Sequence, residues 1–381
     1  AGYTLAMQMG VHYDRLLDGF EGPFEKVTGP LITSVPGGTV AAGGSGWTLS
    51  ARYNDAITAA ERLMKAGVPV HRLTRDAIGR PAGTFYIPST GSARPIVQAL
   101  AAEKGLRFEA ASSAPPSGDM IRLRPVRIGL ADVYGGSMPS GWIRWLLEQM
   151  EVPFEVVYVA RLDQGDLARQ FDLLIFADGL IPANDSGGGG PFGRQPAAED
   201  IPAEFRGWLG RVSVAKTVPQ LRSFLEAGGK IVTIGSSTNL ARHLGLPVAN
   251  HLVERQPSGT VRPLPRERFY VPASLLEVAV DSTLPAAWGL PSKAIVMFDE
   301  SPVFRLDPGA LADGRVKPVA WFASAAPLRS GWAWGQTYLE GGIAVAEAKV
   351  GKGMLYLFGP EITYRAQPAG TFKFLFNAIL N

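Results

Sequence analysis

The sequence predicts an α/β protein: a flavodoxin-like doubly wound parallel sheet preceded by a smaller α/β domain. Three observations carry this. From Val126 onward, short apolar runs that do not alternate recur between helical segments, the pattern of parallel strands covered on both faces. The stretch Ala110 to Gly118 (AASSAPPSG) has the composition of a linker. Ahead of it lies a run of two helices and several short strands, within the usual size of a domain. The expected domains are therefore 1–118 and 119–381.

Each element has its own signal. Val27 to Trp47, rich in Gly, Pro, Thr and Val, suits short strands and turns. Ala56, Ile57, Ala60, Leu63 and Met64 fall at 3–4 spacing, which predicts a helix over Asn54 to Ala66, closed by Gly67. A strand over Val68 to Leu73, a turn at Pro81-Ala82-Gly83-Thr84 and a strand over Phe85 to Pro88 follow. A second helix, Ala93 to Lys104, stops at Gly105. After the linker come strands Val126–Ala131, Phe154–Val159, Phe171–Ala177 and Lys230–Ile234. Helices Gly141–Met150, Thr217–Ala227 and Thr238–Leu244 alternate with them, in an order that fits the flavodoxin-like sheet. The last third is less regular. Strands are expected at Leu276–Val280, Ala294–Met297, Ile343–Val350 and Met354–Phe358, with a hairpin turn at Lys349 to Gly353 and a terminal helix, Thr371–Leu380.

Composition excludes several classes. In 381 residues, 46% are hydrophobic and 19% charged, which supplies real cores and argues against disorder. No apolar run is long enough to span a bilayer. The opening, Ala1-Gly2-Tyr3-Thr4, lacks a basic n-region and reads as a mature chain or an excised piece. A net charge of +3 does not suggest nucleic acid, and the short basic groups (Arg122, Arg124, Arg127; Arg262, Arg266, Arg268) read as solvated surface. There are no cysteines, so disulfides, thiolate metal sites and a cysteine nucleophile are all absent.

Candidate chemistry belongs at the carboxyl ends of the strands, where open α/β sheets hold their sites. Gly235-Ser236-Ser237-Thr238-Asn239 follows the Lys230–Ile234 strand, but Asn239 replaces the second glycine of a nucleophile elbow. A serine nucleophile also needs a base. His243 lies further along the same helical segment and would not point back, so Ser236 and Ser237 are expected to cap the helix. Asp132, Tyr134, Asp178, Ser236, Ser237, Glu361 and Arg365, with Tyr364 beside the last, are placed near the same edge as a candidate relic pocket or a hydrogen-bond network bracing loops. His251-Leu252-Val253-Glu254 matches H-x-x-E, yet no histidine follows it as a third zinc ligand. Gly187–Gly190 lacks the G-K-[ST] ending of a phosphate loop and reads as a flexible loop; Gly135-Gly136 is no nucleotide fingerprint. Trp142, Trp145, Trp332 and Trp334 sit at spacings more typical of core, but exposed they would stack on ligands.

Several runs together carry a resemblance: Gly141-Trp142-Ile143-Arg144-Trp145-Leu146-Leu147-Glu148-Gln149; Phe171-Asp172-Leu173-Leu174-Ile175; Phe224-Leu225-Glu226-Ala227-Gly228-Gly229-Lys230-Ile231-Val232; Gly331-Trp332; Gly351-Lys352-Gly353; and the ending from Gly370 to Leu380. This set resembles the C-terminal region of large bacterial proteins of the zinc carboxypeptidase family. In those, a peptidase domain is followed by a small α/β segment and a class I glutamine-amidotransferase-like domain. The opening, Tyr3 to Val11, resembles the stretch after the peptidase domain; Asn54-Asp55-Ala56 and Pro81 to Phe85 resemble the middle segment. The resemblance implies a parent that removes C-terminal residues from peptides, with zinc only in the peptidase domain, outside this chain. The implied partners are that domain and its peptide substrate, and the implied location is periplasmic or secreted. No catalytic residue of either family has a matching position here. The expectation is a non-catalytic accessory region for domain packing or ligand positioning. The alternatives are a serine hydrolase at the elbow, with Glu361 or Asp178 as acid or base, and a peptide- or carbohydrate-binding module.

Overall fold

The structure, a computed structural model, describes residues 5–14, 16–26, 28–29, 37–185 and 195–381. The Gly187–Gly190 run, the Tyr3-Thr4 opening and part of the Val27–Trp47 stretch lie outside these residues. The chain forms two compact units, Val11–Leu123 and Arg124–Asn381 with Ala1–Gly10. Both limits differ from the expected 1–118 and 119–381, for identifiable reasons. Met120–Arg122 is a strand that pairs antiparallel with His71–Leu73, so the chain returns to the first sheet after the linker-like segment. At the other end, the helix Leu5–Met9 lies against the strand Lys293–Phe298. Gly370 N donates to Gln8 O at 2.8 Å there.

The first unit is a six-stranded sheet in the order Thr39–Val40, Arg107–Ala111, Gly46–Leu49, Phe85–Pro88, His71–Leu73, Met120–Arg122. All pairs but the first are antiparallel. The helices Ala56–Lys65 and Ala93–Lys104 bury Ile57, Leu63, Val97 and Leu100. Gly105 closes the second helix at φ 65°, the left-handed conformation glycine adopts at least cost.

The second unit is built on one large sheet. Its parallel half contains β1 (Ile128–Ala131), β2 (Glu155–Val157), β3 (Leu173–Phe176) and β4 (Lys230–Ile234), with helices α1 (Met138–Gln149) and α2 (Thr217–Glu226) in the connections. The antiparallel half adds β5 (Ser274–Val280), β6 (Lys293–Phe298), β7 (Val316–Trp321), β8 (Ile343–Val350) and β9 (Gly353–Phe358), and α3 (Phe372–Leu380) ends the chain. The strand order is β6-β5-β7-β8-β9-β4-β3-β1-β2. The pairs β2–β1, β1–β3, β3–β4 and β4–β9 are parallel, which is the flavodoxin-like order, with a topological switch between β1 and β3. Strand β7 was not legible in sequence because Pro318 interrupts it; the register with β8 shifts beside that proline. Among the described residues, no helix is long and apolar enough to cross a membrane.

The core is aromatic: Phe176, Phe224, Phe298, Phe322, Phe358 and Phe374 are all fully buried. Polar side chains are tied into it as well. Asn377 of α3 is buried, and its Nδ2 donates to Ala286 O at 3.1 Å and Trp288 O at 3.0 Å. Asn377→Ala leaves both carbonyls without that donor and is expected to destabilise by about 2 kcal/mol. Chemical denaturation checks this, and a loss near zero would show that water replaces the amide.

Candidate functional site

Strands β3 and β4 run in register, Thr233 opposite Phe176, so the residues after each strand meet at one edge of the sheet. Asp178 follows β3 and Ser236 follows β4. Asp178 Oδ1 accepts from Ser236 N at 2.6 Å and from Ser236 Oγ at 2.7 Å, while Gly179 N donates back to Ser236 Oγ at 2.9 Å. Gly235 makes this possible. Its φ is +57°, and a Cβ there would stand 2.4 Å from Asp178 Oδ1. Ser237 is fully buried; its hydroxyl donates to Ala177 O at 2.5 Å and accepts from Leu180 N and Ile181 N, both at 3.1 Å. The serines therefore do not cap the following helix, as the sequence led one to expect. They staple two adjacent strand ends together, a role that depends on strand pairing and not on local spacing.

No imidazole reaches this pair. His243 Nε2 lies 2.7 Å from Pro182 O, and since a carbonyl only accepts, that nitrogen carries the proton.

Beside the Asp178–Ser236 pair is a cavity of about 180 Å³. It is lined by Met138, Pro139 and Trp142 of α1, by Asp178, Asp299 and Glu361 beyond the strand ends, and by Thr363, Tyr364 and Arg365. Strand β6 runs in the same direction as β1 to β4 and β9, because each step from β9 through β8, β7 and β5 reverses direction. Asp299 thus leaves the sheet at the same edge as Asp178, and Glu361, three residues past β9, joins them. Glu361 keeps a margin open to the cavity, but its carboxyl is enclosed by protein on nearly all sides. Burial, reinforced by Asp178 and Asp299, pushes its pKa up to about 8. It accepts no hydrogen bond from any described residue.

The candidate residues thus divide. Asp178, Glu361 and Arg365 line the cavity, and Ser236 is bonded to its wall. Asp132 does not line it; its Oδ1 accepts from Val133 N and Ser137 N, both at 2.8 Å, and braces the loop into α1. Burial raises the Asp132 carboxyl above its usual value, and those two bonds oppose the shift. Tyr134 is half-buried and outside the lining, and Ser237 is sealed in the core. Asp299 was missed as a site residue, and Trp142, a stacking candidate in the sequence, was not placed at this pocket. An aspartate straight after the apolar run Ala294–Phe298 was the available signal for the first, but it required the direction of β6.

The other sequence candidates resolve elsewhere. Glu254 sits on a hairpin strand, Val253–Arg255, and its carboxylate binds Arg262 at 2.7 Å and Arg268 at 2.9 Å. Among the described residues, no group of three His, Asp or Glu side chains is arranged to hold a metal ion. Arg127 pairs with Asp172 and Arg266 with Glu300, so these members of the basic groups are partnered. The tryptophans are not core: Trp145 is 46% exposed, Trp332 52% and Trp334 54%, while Trp142 is half-buried. The Trp332 and Trp334 rings lie 6.4 Å apart and nearly parallel, with Tyr270 edge-on at 5.9 Å.

No family model matches the chain, and no curated protein matches it. Solved structures similar to it include a ThuA-like protein from Bacteroides uniformis, with a TM-score of 0.38 at 9% identity over 66% of this chain and 89% of that one. Another is a GMP synthase component from Thermoplasma acidophilum, at 0.37 and 13% identity, covering 67% of this chain and 94% of that one. A third is a glutamine amidotransferase from Thermotoga maritima, at 0.35 and 11% identity, covering 63% and 77%. The fold assignment of the second unit rests on its own strand order, which these neighbours accompany.

Proposed function

We propose that this chain is a non-catalytic accessory region that holds a ligand at the carboxyl edge of its parallel sheet. It serves an exported, periplasmic or secreted parent of the zinc carboxypeptidase type by packing on its peptidase domain or positioning peptide substrate. The zinc chemistry belongs to that domain. One observation carries the non-catalytic part of this reading: at the elbow, where an amidotransferase-like sheet places its nucleophile, Ser236 Oγ is held by Asp178 and Gly179 N. The nearest histidine along the chain, His243, is turned to Pro182 O. A serine whose hydroxyl meets a carboxylate but no imidazole lacks the usual activating base and is a weak nucleophile. The resemblance of the sequence supports the parent.

The chain is expected to hydrolyse neither glutamine nor simple esters, and to leave a fluorophosphonate probe unattached at Ser236. Intact-mass analysis after probe treatment reads this directly. Labelling that disappears in Ser236→Ala would sink the reading in favour of the serine hydrolase.

A second reading, a peptide- or carbohydrate-binding module, is favoured by the exposed parallel rings of Trp332 and Trp334. Quenching of tryptophan fluorescence by a soluble oligosaccharide or peptide, abolished in the double variant Trp332→Ala/Trp334→Ala, supports it; no quenching removes it.

A further inference from the structure

We infer that the cavity between α1 and the ends of β3, β6 and β9 is a binding site for a small aliphatic ammonium ligand that also carries an acceptor oxygen. This rests on reading the edge as a binding site and not a catalytic one. Its place is the edge where open α/β sheets bind ligands, adjoining the switch point.

The charge pattern selects a cation. Three carboxyls, Asp178, Asp299 and Glu361, face the space, against one guanidinium in the lining. That guanidinium, Arg365, is exposed and lies over the Tyr364 ring at 5.1 Å. Each carboxyl keeps acceptor capacity. Asp178 and Asp299 receive their bonds on Oδ1, from Ser236 and from Ala273 N at 3.0 Å. Glu361 receives none from the described residues. The neighbouring acid Glu300 is taken by Arg266 at 2.8 Å. The three carboxyls are not arranged to close on one bare ion. An extended organic cation fits where a metal does not.

The wall supplies the second half of the recognition. The Arg365 guanidinium lies in the lining and belongs to no ion pair among the described residues, so a ligand oxygen placed on it meets a charged donor. The Trp142 and Tyr364 rings in the lining also suit an ammonium through cation–π attraction. A volume of about 180 Å³ accommodates a short aliphatic chain. Such a group is presented by a free amino alcohol or by a lysyl side chain.

Proton linkage gives a signature. The enclosed Glu361, which shares the lining with Asp178, Asp299, Tyr364 and Arg365, holds its proton up to about pH 8 in the absence of ligand. An incoming ammonium favours the ionised carboxylate, so binding below pH 8 releases a proton, and affinity rises with pH by up to about tenfold per unit between 6 and 8.

The test uses the full chain and isothermal calorimetry with three isosteres: 5-amino-1-pentanol, 1,5-pentanediol and 5-hydroxyvalerate. The amino alcohol is expected to bind at least tenfold more tightly than the diol or the acid, more strongly at pH 8 than at pH 6, with proton release. Glu361→Gln is expected to weaken it at least tenfold at pH 8, and Asp299→Asn to weaken it in the same direction. An Nα-acetyl-lysinamide arm separates the sources: comparable or tighter binding points to a lysyl side chain, and weaker binding to a free amine. Equal binding of all three isosteres, no binding, or unchanged affinity in Glu361→Gln would overturn the inference. Fluorophosphonate labelling of Ser236 is scored separately, so failure of the non-catalytic reading is distinguishable from failure of the ligand class.

Discussion

Gly235→Ala is expected to lower the stability of the second unit by about 3 kcal/mol, and its melting temperature by roughly 10 °C. Two separate costs add. At φ +57° an alanine is held in the left-handed region, which costs about 1–2 kcal/mol. Its Cβ would also stand 2.4 Å from Asp178 Oδ1 and 2.9 Å from Asp178 Cβ, so the aspartate must move. Moving it breaks the bonds from Ser236 N and Oγ that join the ends of β3 and β4. Gly135 separates the costs. It has φ +87°, and a methyl group added there would meet nothing within 4 Å, so Gly135→Ala carries the conformational cost alone, about 1–2 kcal/mol. Thermal melts of both variants check this. Equal losses would show that Asp178 yields without resistance and that the elbow is not a rigid staple.

Glu361→Gln is expected to stabilise the protein above neutral pH and to leave it nearly unchanged near pH 4. The folded state holds the Glu361 proton up to about pH 8, whereas a free glutamate side chain releases it near 4.5. Between those values the unfolded chain has released a proton that the folded one keeps, so the wild type loses stability as pH rises, by up to about 1.4 kcal/mol per unit. Above pH 8 both states are ionised and the loss is complete. Glutamine has the shape of the protonated acid and no such titration. The difference between variant and wild type should therefore grow from pH 4.5 to 8 and then level, reaching at most roughly 5 kcal/mol. Other raised carboxyls, Glu61 and Asp132 among them, slope the wild-type curve as well but cancel in the difference. Urea denaturation from pH 4 to 9 reads it. A flat difference would mean that Glu361 is solvated in the folded protein.

Much of the fold was legible because its signals are local. Unalternating apolar strands, helical spacing and closing glycines such as Gly105 act within a few residues, and they predicted the parallel order that β1 to β4 adopt. The positions of Asp178 and Glu361 at the sheet's carboxyl edge followed from those strands. What sequence could not supply depends on residues far apart in the chain. Met120–Arg122 falls past the linker-like Ala110–Gly118 and reads as part of the second domain until it pairs with His71–Leu73. Ser236 and Ser237 read as helix caps until β3, nearly sixty residues earlier, is placed beside them. Asp299 joins the cavity only because four successive antiparallel steps return β6 to the direction of β9. The chain by itself determined which segments become strands and helices, since periodicity and turn chemistry are properties of neighbours. Tertiary structure alone decided which carboxyls share one cavity and which hydroxyls are consumed, because burial and partner choice are set by strand order and direction.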